Sequence, residues 1–147
     1  MPPEPICHTT GFLLARLCGA HRRAVGHELE ALGLHPGQEM FMEQLWMQEG
    51  RTQNELAELL AVQPATISKM YQRLEQAGLV TKCTHEEDSR AVRVRLTDKG
   101  RALREATEAA WSEAEARLLA HMTVEEKIIF RRLLLQAAEN LSEQPYP

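Results

Sequence analysis

The sequence predicts a mainly α-helical chain carrying one small β-hairpin, and three observations point there. Apolar residues recur at helical spacing over most of the 147 residues. One segment, Val92-Arg93-Val94-Arg95-Leu96, switches to the period-two alternation of a half-buried strand. Aromatics are only 5% while Ala, Leu, Glu and Arg dominate, which favours helix and argues against an all-β sandwich. With 44% apolar and 26% charged residues the chain has enough apolar material for a core, and its length suits a single domain.

Pro2, Pro3 and Pro5 exclude a helix at the start, and Pro145 and Pro147 act likewise at the end, so both tips are expected to fray. From about Thr10 to Ala31 the row Leu14, Leu17, Cys18, His21, Val25, Leu29, Leu32 follows one helix, broken at Gly33. Pro36 is placed for the first turn of a second helix, which runs through Met40, Phe41, Leu45 and Trp46 and stops at Gly50. Thr52-Gln53-Asn54-Glu55 reads as a capping box opening a short helix through Leu56, Leu59 and Leu60. Pro64 opens the next, with Ile67, Met70, Leu74 and Ala77 on one face and Gly78 at its end. Two short helices joined by a turn of three or four residues have the layout of a helix-turn-helix.

Val80-Thr81-Lys82-Cys83 can pair with the alternating strand across the polar stretch from Thr84 to Arg90, which makes a projecting wing with a basic outer face, Arg93 and Arg95. Thr97-Asp98 then caps a long helix through Leu103, Trp111 and Leu118. Thr123-Val124-Glu125-Glu126 is a second capping box, opening a last helix with Ile128, Leu134 and Leu141. The architecture expected is therefore a winged helix-turn-helix over residues of about 37–100, flanked by helices at about 10–33 and 105–141, in one domain spanning 1–147.

Several function classes are disfavoured. No stretch approaches the roughly 18 to 20 apolar residues of a membrane span, and Met1-Pro2-Pro3-Glu4-Pro5 lacks the basic start of a signal peptide, so a cytoplasmic protein is expected. Cys7, Cys18 and Cys83 are too scattered for a disulfide framework or a paired-cysteine zinc site. The six histidines are dispersed, and His27-Glu28-Leu29-Glu30-Ala31 lacks the second histidine of a zincin helix. His85 with Glu86, Glu87 and Asp88 is better explained as a solvated acidic turn than as a cation site, so no metal is expected. With no Gly-rich phosphate loop, no nucleophile elbow and no arguable Ser/His/Asp set, neither an enzyme nor a cofactor is expected.

The net charge of -4 hides an uneven distribution. Residues 1–62 and 105–147 each hold 4 basic and 8 acidic residues, whereas 63–104 hold 9 basic against 5 acidic, a local +4. A basic centre between acidic ends is the footprint of a polyanion partner. On the Pro64 helix, Thr66, Lys69, Arg73 and Gln76 share the face opposite Ile67, Met70 and Leu74. Pro64 and Ala65 keep its N-terminus slim enough for a major groove, and Ser68 and Gln72 flank the stripe. Lys69 and Arg73 suit phosphates or the guanine edge, and Gln72 suits adenine. A solvated charged face is the ordinary fate of an amphipathic helix, but the capped preceding helix, the basic wing and the local charge together favour double-stranded DNA.

Leu74-Glu75-Gln76-Ala77-Gly78-Leu79-Val80, Asp88-Ser89-Arg90 and Leu96-Thr97-Asp98-Lys99-Gly100 closely resemble the winged-helix signature of the MarR (multiple-antibiotic-resistance regulator) family, and the flanking helices follow that family's order. The resemblance implies a homodimer whose first, fifth and sixth helices form the dimer lobe. It also implies a Pro64 helix in the major groove, Arg90 reaching the adjacent minor groove, and Asp88 holding the wing in shape. Independently, the rows Phe12, Leu13, Leu17 and Ile128, Ile129, Leu133, Leu134, Leu135 are too apolar to stay wet. A two-fold dimer predicts a pseudo-palindromic operator.

The resemblance further implies a repressor released by a small phenolic or otherwise anionic effector in a crevice between the lobes. His21, His35, Met40, Met42 and Trp46 are the candidate lining, although Met and Trp at helical spacing more often form core. A thiol-based redox regulator of the same fold is the alternative. The hydroperoxide-sensing branch carries its cysteine immediately before a Phe-Leu-Leu run, where this chain has Gly11, leaving Cys18 and Cys83 as the redox candidates. The other alternative is a winged-helix protein-docking module that never touches DNA, which would have no need of a cationic stripe at Lys69, Arg73 and Arg90.

Overall fold

Capping chemistry sets most helix boundaries. The computed structural model describes the backbone of residues 4–85 and 88–142 and the side chains of 4–84 and 92–142. The chain divides into two compact units, Met1–Ala114 and Glu115–Pro147. In the first, a 3-10 turn at Ile6–His8 leads to α1 (Thr10–Ala31), where the Thr9 hydroxyl accepts from the Phe12 N–H at 3.2 Å. Helix α2 spans Gln38–Met47, so Pro36 precedes the helix instead of opening it. The reason is a left-handed turn at Gly37 (φ 96°), stabilised when Gln38 Oε1 accepts from the His35 N–H (2.9 Å) and Glu39 Oε2 from the Gly37 N–H (2.7 Å). The helix also ends before Gly50, whose N–H donates to the Val94 carbonyl at 3.0 Å and leads into a strand that the sequence pattern did not reveal, β1 (Arg51–Thr52).

The capping box at Thr52 and Glu55 closes as expected, with bonds of 3.2 and 2.7 Å, and starts α3 (Gln53–Leu60). Ala61 turns the chain in the left-handed region, and α4 (Pro64–Gln76) begins with its proline in the first turn. Strands β2 (Val80–His85) and β3 (Asp88–Leu96) form the antiparallel wing, and β1 pairs on the other side of β3 in the order β1-β3-β2. The register sets Val80 opposite Leu96 and Lys82 opposite Val94. Val94 and Leu96 are buried, while Val92 is exposed, so only the base of the alternating strand reaches the core. The long helix expected after Thr97 is divided at Leu103 into α5 (Asp98–Ala102) and α6 (Arg104–Leu118); Leu103 packs against the core at the offset.

The core of this unit gathers Leu29 of α1, Leu34 between α1 and α2, Phe41 and Leu45 of α2, Leu56 of α3, Ile67, Tyr71 and Leu74 of α4, and Val94 of β3. Met42 is also fully buried there, so it belongs to the core and not to a ligand crevice. A backbone junction locks the end of α4 to α5. The Thr97 N–H donates to the Leu79 carbonyl (3.0 Å), the Thr97 hydroxyl to the Gly78 carbonyl (2.6 Å) and Lys99 Nζ to the Ala77 carbonyl (2.9 Å). Gly100 lies directly on the Leu79 carbonyl, with no space for a Cβ.

In the second unit, the capping box at Thr123 and Glu126 (3.2 and 2.8 Å) opens α7 (Val124–Leu141). None of the described residues of α7 is buried, and Ile128, Ile129, Leu133, Leu134, Leu135 and Leu141 are exposed. A cleft of about 460 Å³ opens between Leu118 and Leu119 on one side and Ile128, Phe130, Leu134 and Leu135 on the other. Among the described residues, no helix is long and apolar enough to cross a membrane.

Two outcomes are expected. Gly100→Ala forces a methyl group into the Leu79 backbone and should destabilise the protein by about 1–3 kcal/mol in denaturant titrations; wild-type stability would show that the junction yields. Glu39 is a buried carboxylate whose burial pushes its pKa above the usual value, against the N–H groups of Glu39 and Gly37 and the positive Arg22 and His21, which favour its charged form. A raised folded-state pKa contributes stability below the ordinary carboxylate range that is lost as pH rises through the folded value. Glu39→Gln, which keeps an acceptor for Gly37, should therefore gain in Tm relative to wild type between about pH 4 and pH 7. A pH-independent difference would show that Glu39 titrates like a solvated carboxylate.

Candidate nucleic-acid interface

A short capped helix, a tight turn and a proline-started helix place α4 with one face in the core and the other in solvent. Ile67, Tyr71 and Leu74 are buried, whereas Thr66, Lys69, Gln72, Arg73 and Gln76 are exposed, together with Pro64 and Ala65 at the N-terminus. Ser68 differs from the other candidate contacts. It is half-buried, and its hydroxyl donates to Gln53 Oε1 at 3.1 Å, fastening the first turn of α3 to α4. Tyr71 had no part in the sequence reading, yet it fixes the inner face of α4: its ring is buried, its hydroxyl donates to the Glu75 carboxylate, and Lys82 Nζ lies 4.9 Å from the ring centroid. The signal was present, since Tyr71 sits at i+4 from Ile67 in the apolar row.

The structure sorts the basic residues that the charge count treats alike. Arg93, assigned to the outer face of the wing, donates through Nη1 to the Gly50 carbonyl at 2.8 Å and ties β3 to the approach to β1. Lys99 holds the Ala77 carbonyl, and Arg101 bridges Glu49 (2.9 Å) and Asp98 (3.0 Å). Arg104 pairs with Glu108 at 2.7 Å and donates to the Trp46 carbonyl. The hydrogen bonds from Arg101 to Glu49 and from Arg104 to Glu108 raise the pKa of each guanidinium. Lys69 and Arg73 make no hydrogen bond or ion pair among the described residues, so their charge is available to a ligand on the exposed face of α4. The side chains of Arg90 and Asp88, and of the cluster from His85 to Asp88, lie outside the described residues.

The proposed effector residues are only partly brought together. Met40 and Trp46 line a cavity of about 510 Å³ between α2 and α6, with Glu39, Glu43, Thr107, Glu108, Trp111 and Ser112. His21 stands behind that wall, its ring edge-on to Trp111 at 4.9 Å between centroids, and His35 is an exposed residue outside the lining. The three carboxylates in the lining were not anticipated, because helical spacing alone does not show that α2 and α6 face each other. Cys7 and Cys18 are exposed and Cys83 is half-buried, its Sγ 3.9 Å from the Thr84 carbonyl oxygen.

This arrangement has close counterparts among known proteins. The sequence model of the MarR family matches residues 34–92, which covers α2 through most of the wing. The HTH-type transcriptional repressor Rv2887 of Mycobacterium tuberculosis is 32% identical over 124 residues, covering 84% of this chain and 89% of the relative. The crystal structure of Rv2887 in complex with DNA superposes with a TM-score of 0.69 at 30% identity, covering 92% of this chain and 98% of that one. Its complex with p-aminosalicylic acid also gives 0.69, at 32% identity over 88% of this chain and 98% of that one. With this extent of identity and a shared winged-helix architecture, the chain belongs to the MarR family of DNA-binding transcriptional regulators.

Proposed function

We propose that the protein is a cytoplasmic, ligand-responsive transcriptional repressor that binds double-stranded DNA sequence-specifically as a homodimer on a pseudo-palindromic operator. The observation that carries this reading is the contrast on the basic surface: Arg93, Lys99, Arg101 and Arg104 are engaged within the protein, whereas Lys69 and Arg73 are left exposed beside Thr66 and Gln72 on one face of α4. Such a stripe suits a major groove, with Arg90 assigned to the neighbouring minor groove and Asp88 to the shape of the wing. A docking module gains nothing from cations kept free of large apolar neighbours.

Residues of about 37–100 then form the DNA-reading part, and the helices at about 10–33 and 105–141 form the dimer lobe. The exposed apolar rows on α7, and Leu13 on α1, support the dimer, since apolar patches of that extent seldom stay in water. The two-fold partner in turn sets two α4 helices about one DNA turn apart. A redox trigger has less support, because the position before Phe12-Leu13-Leu14 is Gly11 and carries no thiol.

The test is fluorescence anisotropy with the intergenic duplex beside the protein's own gene, against a scrambled duplex, at two salt concentrations. Tight, salt-dependent preference for the native duplex is expected; equal, weak binding to both would overturn the reading. Arg73→Ala should cost about 1–3 kcal/mol on the native duplex if it reads a base edge. If it contacts phosphate, all sequences weaken alike and the salt slope falls by about one. Arg90→Ala should weaken binding where the flanking minor groove is A·T-rich. Unchanged binding in both variants would remove α4 and the wing from the interface.

A further inference from the structure

The cavity between α2 and α6 has the wrong charge for an anion. Its walls combine Met40, Trp46 and Trp111 with the small polar Thr107 and Ser112, and among the described residues its only charged lining is Glu39, Glu43 and Glu108. Both indole rings are held in place: Trp46 Nε1 donates to the Gly100 carbonyl at 3.0 Å, and Trp111 takes the edge of His21 at an interplanar angle of 62°. At about 510 Å³ the space is the size of a small-molecule site.

The three carboxylates are not equivalent. Glu108 is neutralised by Arg104 at 2.7 Å. Glu39 is only 8% exposed, and its carboxylate accepts from the Gly37 N–H but forms no ion pair among the described residues. Glu43 is half-buried and forms no ion pair among the described residues, although Arg104 acts on it through space. Arg22 and His21 act on Glu39 through space, but neither lies within ion-pair distance nor lines the cavity. Burying a carboxylate without a cationic partner is costly, and a bound positive charge offsets that cost. Tryptophan faces attract cations as well, whereas an anionic guest would meet like charges at short range.

We infer that this cavity binds a lipophilic organic cation, with Trp46 and Trp111 receiving its aromatic or alkyl body and Glu39 and Glu43 serving as counter-ions. The inference deepens the ligand-responsive reading given above and rests on it for the consequence of binding. It departs from the anionic, phenolic effector that the family resemblance implies. Neutral aromatic bodies fit the same walls, so the positive charge is the discriminating feature.

The two tryptophans of the chain both line the cavity, so intrinsic fluorescence reports its occupancy directly. The full-length protein is titrated with tetraphenylphosphonium, with its near-isosteric anion tetraphenylborate, and with p-aminosalicylate, at matched ionic strength. The phosphonium should bind about tenfold or more tightly than either anion, the scale of one partly solvated charge pair. Glu43→Gln and, independently, Glu39→Gln should each weaken the phosphonium severalfold without weakening tetraphenylborate. An anion binding as tightly as the phosphonium, no change in tryptophan emission with any of the three, or variants that weaken all three alike would overturn the inference. Duplex anisotropy on the same samples separates the two readings. Operator preference without cation preference overturns only the cavity assignment, whereas cation preference without operator preference overturns only the regulator.

Discussion

The close approach of two pieces of backbone, at the turn leaving α4 and at the first turn of α5, is the constraint on which the winged unit depends. Gly100 faces the Leu79 carbonyl with no room for a side chain, and the Thr97 and Lys99 side chains take up the last carbonyls of the α4 end, Gly78 and Ala77. These carbonyls have no helical partner and must be satisfied from elsewhere. Because β2 starts at Val80 and β3 ends at Leu96, the same few residues fix the base of the wing. The direction of α4 and the direction of the hairpin are therefore set together. The Leu-Thr-Asp-Lys-Gly run at 96–100 is, in physical terms, a strand end, a helix cap, a carbonyl clamp and a gap for backbone contact.

Trp46 extends that junction toward the cavity. Its indole N–H ends on the Gly100 carbonyl, while its ring forms part of the cavity wall, so one side chain touches both the junction and the space where a ligand would lie. The Arg104 guanidinium adds a second tie, from the start of α6 to the Trp46 carbonyl and to Glu108. A guest against Trp46 would thus be one hydrogen bond away from the turn that holds α4, a short physical route between the proposed ligand cavity and the exposed face of α4.

Local chemistry was readable wherever it closed within a few residues. The boxes at Thr52 and Thr123, the proline starting α4, Gly78 after it and the alternation in β3 each depend on neighbours in sequence, and each appears in the structure. The errors fall where a distant partner decides. Pro36 is the local exception: it has the placement of a helix start, but Gln38 and Glu39 fold back onto N–H groups three and two residues earlier and shift the start to Gln38. The two-residue β1 has no pattern of its own and exists because β3 offers Val94 and Arg93 as partners. Arg93 had the alternation of an outward wing residue, yet the Gly50 carbonyl on the neighbouring chain segment engages it.

By itself the sequence determined the helices and their caps, the hairpin, the polar stripe on the helix from Pro64 to Gln76 and the uneven distribution of charge, because hydrophobic period, capping and turn preference act over three or four residues. Tertiary structure decided which of those charges are free. Lys69 and Arg73 remain exposed while Arg93, Lys99, Arg101 and Arg104 are consumed by carbonyls and carboxylates 3 to 58 residues away in the chain. It also decided that Glu39, Glu43 and Glu108 share one cavity with two tryptophans. Side chains on different helices meet only through packing, and packing distance has no fixed relation to distance along the chain.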